Sequence, residues 1–134
     1  MGYRSDVHIA VTFNDIATLR EVMAVYAMNP TVQKYNLAKD WEMKDDTTLY
    51  YSAEDVKWYE NYEDVQGYEH MMSVAEMFHE ERGIAFAYYF VRIGMDMDDM
   101  ETREQHGGDD DDTLIEKLWD AMQIVRCVEL NFGE

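Results

Sequence analysis

Between Arg4 and Phe13 the chain alternates: Val7, Ile9, Val11 and Phe13 fall on one side, His8, Ala10 and Thr12 on the other. A period of two is that of a strand with one buried face. Asn14 stands where an N-cap would, its side chain able to accept from the next turn's N–H groups. Ile16, Leu19, Val22, Met23 and Tyr26 then recur at helical spacing, and Asn29-Pro30 closes that helix. Thr31 to Asp40 carries no clear period.

Trp41–Met43 and Thr48–Tyr51 flank Lys44-Asp45-Asp46-Thr47, the pattern of a hairpin. Val56–Tyr59 reads as a further strand after a kink at Ala53-Glu54-Asp55, with a short helix as the competing assignment. From Asp64 to Arg82, Val65, Tyr68, Met71, Met72, Ala75 and Phe78 predict a second amphipathic helix, which Gly83 ends. Ile84–Met97 is β-rich. A last helix covers Leu114, Ile115, Leu118, Trp119 and Met122, and Ile124–Leu130 forms a final strand. No repeat or linker divides the chain. Residues 1–134 are expected to form a single α+β domain, a mostly antiparallel sheet with two or three helices packed on one face.

Composition adds two constraints. Hydrophobic residues make up 47% of the 134 positions, including ten tyrosines, five phenylalanines and three tryptophans, so the chain can bury a core despite its charge. No apolar run approaches the roughly 18 to 20 residues that span a membrane, and the start shows no signal-peptide pattern. Cys127 is the single cysteine, flanked by Val125 and Val128. It is expected to be a buried, inert thiol in a reducing compartment.

Charge changes the picture more. Lys and Arg number 11 against 29 Asp and Glu, a formal net of −18. Residues 1 to 39 are nearly neutral, so the remainder carries all of the excess. Such a field repels nucleic acid and anionic membranes and attracts basic partners. Between residues 95 and 112 nine carboxylates face one cation, Arg103. Continuing the strand from Ile84 turns Ile93, Met95 and Met97 one way and Arg92, Asp96 and Asp98 the other. Gly107-Gly108 then makes a turn. Thr113 and Glu116 form a capping box, with Asp109, Asp110, Asp111 and Asp112 at the positive end of the helix dipole.

Little specific chemistry emerges. Asp96-x-Asp98 begins like an EF-hand loop, but Met100 occupies the third ligand position and no glycine follows at the sixth. Glu76 and His79 have the Glu-x-x-His spacing of di-iron bundles, supplied once where such a site needs it twice. His8, His70, His79 and His106 have no signature linking them to Cys127. There is no phosphate loop and no nucleophile elbow. No catalytic residue, metal or cofactor is expected. Trp58-Tyr59-Glu60-Asn61-Tyr62-Glu63-Asp64 mixes aromatic and acidic groups and suits either a protein interface or packing between a strand and the next helix.

Two segments, Val56-Lys57-Trp58-Tyr59-Glu60-Asn61-Tyr62-Glu63-Asp64-Val65-Gln66 and Phe90-Val91-Arg92-Ile93-Gly94-Met95-Asp96-Met97-Asp98-Asp99-Met100-Glu101, carry a resemblance. With the opening Gly2-Tyr3-Arg4-Ser5-Asp6-Val7, they resemble small uncharacterised proteins of tailed bacteriophages. The chain departs from that pattern after Glu101, in the stretch Gly107 to Asp112. The resemblance implies an α+β domain of phage origin, working in the host cytoplasm, and no catalytic residue. The expected function is non-enzymatic binding and inhibition of a basic, nucleic-acid-handling host protein, with DNA mimicry as one form. Asp96, Asp98, Asp99, Glu101 and Asp109 to Asp112 are the expected contacts. Glu54, Asp55, Trp58, Tyr59, Glu60, Tyr62, Glu63 and Asp64 form a second patch. The alternatives are an accessory phage domain whose charge serves solubility, and a weak divalent-cation binder.

Overall fold

A computed structural model describes residues 2–124, 128–130 and 132. Five strands form one sheet: β1 (Ser5–Phe13), β2 (Glu42–Asp45), β3 (Thr48–Val56), β4 (Phe86–Gly94) and β5 (Met100–Gly107). Their order is β2-β3-β1-β4-β5 and every pairing is antiparallel. Central β1 has the alternation expected of it. Val7, Ile9, Val11 and Phe13 point into one core, while Ala10 and Thr12 are buried on the opposite face.

The first core lies under three helices, α1 (Ile16–Ala27), α2 (Pro30–Tyr35) and α3 (Glu63–Arg82). Leu19, Val22 and Tyr26 of α1 and Met71, Met72, Val74, Ala75 and Phe78 of α3 meet Phe86, Tyr88 and Phe90 of β4. Trp41 lies in this layer and donates its indole N–H to the Tyr26 hydroxyl at 3.0 Å. These three helices satisfy the expected layer on one face. A fourth, α4 (Asp111–Ala121), covers the other face, where Leu114, Ile115 and Leu118 pack on Ala10, Tyr50, Ala87, Val91 and Ile93. Both faces of the middle of the sheet are therefore apolar.

Several boundaries differ from expectation for local reasons. Asp15 caps α1 rather than Asn14, accepting from the Thr18 N–H at 2.7 Å. Asn29-Pro30 opens a helix as well as following one: the Asn29 side chain accepts from Thr31 and Val32, and Pro30 takes the first turn of α2, where its missing N–H costs nothing. A 3-10 turn at Leu37–Asp40 completes this stretch. The kink at Glu54-Asp55 is a bulge. Ser5 pairs with Val56 but Val7 with Ala53, and Asp55 has a φ of 56°. Strand β3 ends at Val56, so residues 57 to 59 are neither strand nor helix.

The largest departures follow β4. That strand stops at Gly94 instead of running to Met97, so Met95 and Met97 are exposed turn residues rather than inward-facing ones. The chain returns as β5, whose Met-Glu-Thr-Arg-Glu-Gln-His-Gly sequence gave no strand signal because most of its side chains are exposed. Gly108 (φ 95°) packs against Ala85 so tightly that the chain turns at once, and α4 starts at Asp111. Thr113 is thus inside the first turn and the capping box does not form; Asp110, itself left-handed, holds the cap position without a side-chain bond. Asp111 and Asp112 keep their favourable place in that turn. The expected final strand is two short ones, β6 (Met122–Ile124) and β7 (Val128–Leu130), paired with each other. Cys127 and Val125 lie outside the described residues.

The second core gives a direct test of α4. Leu118 is fully buried, so Leu118→Ala is expected to lower unfolding free energy by about 2–5 kcal/mol in urea titration. A loss under about 1 kcal/mol would mean that α4 does not seal this face.

Candidate functional site

The strand order brings the β3 end, the β1 start, the β4 end and the β5 start to one end of the sheet. Two of the three expected acidic groups therefore meet there. Residues 54–64 leave β3 on one side, and the β4–β5 turn, 95–99, stands on the other. Tyr3 joins them: its N–H donates to the Tyr59 hydroxyl at 2.6 Å, its own hydroxyl donates to Asp99 at 2.5 Å, and the Asp96 N–H donates to that hydroxyl at 3.1 Å. Arg4 adds a second tie, donating to the Asp55 carbonyl at 3.0 Å.

A chain of polar contacts runs behind this surface. Arg92, mostly buried, donates to both Asp99 oxygens at 3.1 and 2.9 Å, to Glu101 at 3.1 Å and to Ser5 at 3.0 Å. Asp99's hydrogen bonds and then Glu101's outweigh burial and hold the guanidinium still more firmly protonated. Glu101 also pairs with Arg103, which lies 4.0 Å over the Phe90 ring and pairs with Glu69 at 2.9 Å. Glu69 accepts the Trp58 indole N–H at 3.0 Å. Tyr3, Asp99, Arg92, Glu101, Arg103, Glu69 and Trp58 thus form one continuous network that links β4, β5 and α3 with the segments before β1 and after β3. Such partly buried, multiply bonded charges fix geometry more than they add stability.

This sorts the expected site residues. Asp99 and Glu101 are committed to Arg92, while Asp96 and Asp98 stand exposed in the turn beside exposed Met95 and Met97. Trp58 packs with Tyr51, Tyr68 and Phe90 between strand and helix, whereas Tyr59 holds the segment before β1 through Tyr3. Tyr62 and Glu60 are exposed. Glu63 is tied to Lys34 and Tyr35, and Glu54, Asp55 and Asp64 face solvent. Asp109 to Asp112 are elsewhere, because Gly107 pairs with Phe86 at the opposite end of β4. The eight residues of β5 separate them from the hairpin turn by roughly 20–25 Å. Tyr3 and Arg92, which organise the site, were not singled out in the sequence; the lone cation noted among the acids was Arg103, which joins the same network through Glu101.

Metal and acid–base candidates are mostly occupied by structure. Glu76 accepts from the Tyr88 hydroxyl at 2.7 Å, and His79 Nδ1 faces the Ile84 carbonyl at 3.1 Å. Asp96 and Asp98 belong to a tight hairpin turn, and the adjoining Asp99 is engaged by Arg92. Among the described residues, His106, Asp111 and Asp112 are the one group with metal-ligand atoms close together, within 4.8 Å, and His106 Nδ1 already lies 2.8 Å from Asp111. His8 sits between sheet and solvent against the Tyr50 hydroxyl. Burial lowers its pKa, partly offset by Asp6, and burial also lowers that of His70.

No family model matches the chain, and no characterised protein and no solved structure matches it. No helix among the described residues is long and apolar enough to cross a membrane.

Two measurements probe this region. A Cβ on Gly94 would overlap Asp99 Oδ2 and the Tyr3 hydroxyl, so Gly94→Ala is expected to displace Asp99 from Arg92 and cost about 1–3 kcal/mol in urea unfolding. An unchanged stability would mean that the network yields without loss. The His8 and His70 imidazoles are expected to titrate below the ordinary value of about 6.5 by NMR. Because their folded pKa values lie below the unfolded one, their stabilising contribution is present above about pH 6.5 and is lost as pH falls toward the folded values. Urea midpoints taken through this window should fall, and less so in His8→Gln.

Proposed function

We propose that this chain is a phage-encoded, non-enzymatic protein that binds a basic, nucleic-acid-handling protein of the host cytoplasm and inhibits it. The supporting observation is the convergence of the 54–64 segment and the 95–99 turn on Tyr3, which gathers Glu54, Asp55, Glu60, Asp96 and Asp98 at one end of the sheet. A fixed acidic surface suits a partner that already carries lysine and arginine for phosphate, and its binding releases counterions as DNA binding does. Mimicry here rests on the grouping of carboxylates, not on a row along a strand, since Asp96 and Asp98 occupy a turn. Asp99 and Glu101 contribute by holding Arg92 rather than by contact.

The test separates charge from fold. Glu54, Glu60, Asp96 and Asp98 are changed together to Gln or Asn, leaving the Arg92 network intact. The unaltered protein, immobilised in bacterial lysate at low salt, is expected to retain a partner that elutes as salt rises and that duplex DNA displaces. The variant should bind it more weakly, with a log–log salt slope reduced by up to about four, roughly one per lost contact. Equal retention by the variant, or indifference to DNA, would overturn the proposal and favour an accessory domain whose charge serves solubility.

The cluster of His106, Asp111 and Asp112 supports one second reading, weak binding of a divalent cation. Calorimetry with calcium and magnesium at millimolar concentration is expected to give heat that Asp111→Asn abolishes. No heat removes this alternative.

A further inference from the structure

The two edges of the sheet are built differently. Strand β2 has four residues, carries Lys44 and shifts register between Met43 and Asp45. Short length, lysine and irregular pairing are the usual ways in which an edge is protected from adding another strand. Strand β5, the other terminal strand, has eight residues in unbroken register from Met100 opposite Ile93 to Gly107 opposite Phe86. It contains neither proline nor lysine. Three of its exposed side chains are tied to the helices on either face: Arg103 to Glu69, Glu104 to the Trp119 indole at 3.0 Å and His106 to Asp111. Among the described residues its outer backbone edge pairs with no further strand, because β5 ends the sheet.

What surrounds this edge selects the occupant. Asp96 and Asp98 stand exposed before the strand and Asp109, Asp110 and Asp112 after it, so carboxylates flank both ends. The helix row that brings Trp119 over Glu104 also carries Asp112 and Glu116, by their i, i+4 and i, i+3 spacing. On the opposite face Glu69 and Glu76 of α3 line the cleft beside Arg103. The positive charge of Arg103 is already shared between Glu69 and Glu101. A second copy of this chain would bring the same carboxylates and a net charge of −18 against its own.

We propose that β5 is a docking strand, which accepts an extended segment rich in lysine or arginine from a partner protein as a sixth strand of the sheet. This rests on the proposal that the chain binds a basic protein, and it adds the mode: backbone hydrogen bonds supply affinity, and the acidic surroundings supply selection. The same charges that deter self-pairing admit a strand of opposite sign.

The experiment uses two peptides with the full chain at low salt. One alternates lysine and valine over about eight residues. The other replaces each valine by proline, keeping the charge but removing N–H donors and strand pairing. The valine peptide is expected to bind at least about tenfold more tightly, and to protect every second amide between Met100 and Gly107 from hydrogen exchange. Equal affinity for the two peptides, or protection at β2 instead, would overturn strand addition while leaving charge-driven binding in place. Failure of both peptides to bind would overturn both proposals. Protection of the same β5 amides in the free chain as its concentration rises would also overturn it, since a second copy would then be the occupant.

Discussion

Everything in this molecule is arranged around a strand that cannot be exposed on either side. Strand β1 places Val7, Ile9, Val11 and Phe13 against three helices and Ala10 and Thr12 against a fourth. Once both faces of the sheet centre must be covered, carboxylates have no place there, because an unpaired buried charge costs far more than a domain of this size can offset. They are displaced to the ends of the sheet, the β5 edge and the outer faces of helices. The location of the acidic surface is thus a consequence of where the apolar residues are.

The same displacement explains how so charged a chain stays compact. Three of its cations are placed against acids at crowded points. Arg92 lies between Asp99 and Glu101, Arg103 between Glu101 and Glu69, and Lys117 reaches Asp45 at 2.8 Å while donating to Thr47 at 2.9 Å. Burial alone would raise the pKa of Asp45, but the bonds from Lys117, Thr47 and Thr48 reverse that and keep it ionised. Exposed acids beyond about one Debye length act weakly on one another at physiological salt. Local pairing at the crowded points and solvation elsewhere together hold the repulsion in check.

How much of this could be read from the chain depends on how each element is stabilised. Strand β1 and helix α3 were legible because burial on one face writes a period into the sequence: Val7, Ile9 and Val11 at two, Val65, Met72 and Ala75 at helical spacing. Strand β5 was not, since it owes its form to pairing with β4 and has no apolar face to display. The α4 start was misplaced by a close approach of Gly108 to Ala85, residues distant in the chain. The acidic segments were visible as composition. Their meeting at Tyr3, and the separation of Asp109 to Asp112 from them, are products of strand order, which no local pattern encodes.

The three tryptophans occupy three distinct solvent regimes, and this makes the molecule its own optical probe. Trp41 is 7% exposed and bonded to Tyr26 in the helical layer; Trp58 is half-buried among Tyr51, Tyr68 and Phe90 beside the acidic end; Trp119 is 43% exposed over β5. Emission from Trp41 therefore belongs to the blue side of the spectrum and follows packing of the core. That from Trp119 belongs to the red side and follows wetting of the edge strand. A single emission spectrum then carries separate signals for the core and the rim, and selective replacement by phenylalanine resolves which part of the fold any perturbation reaches first.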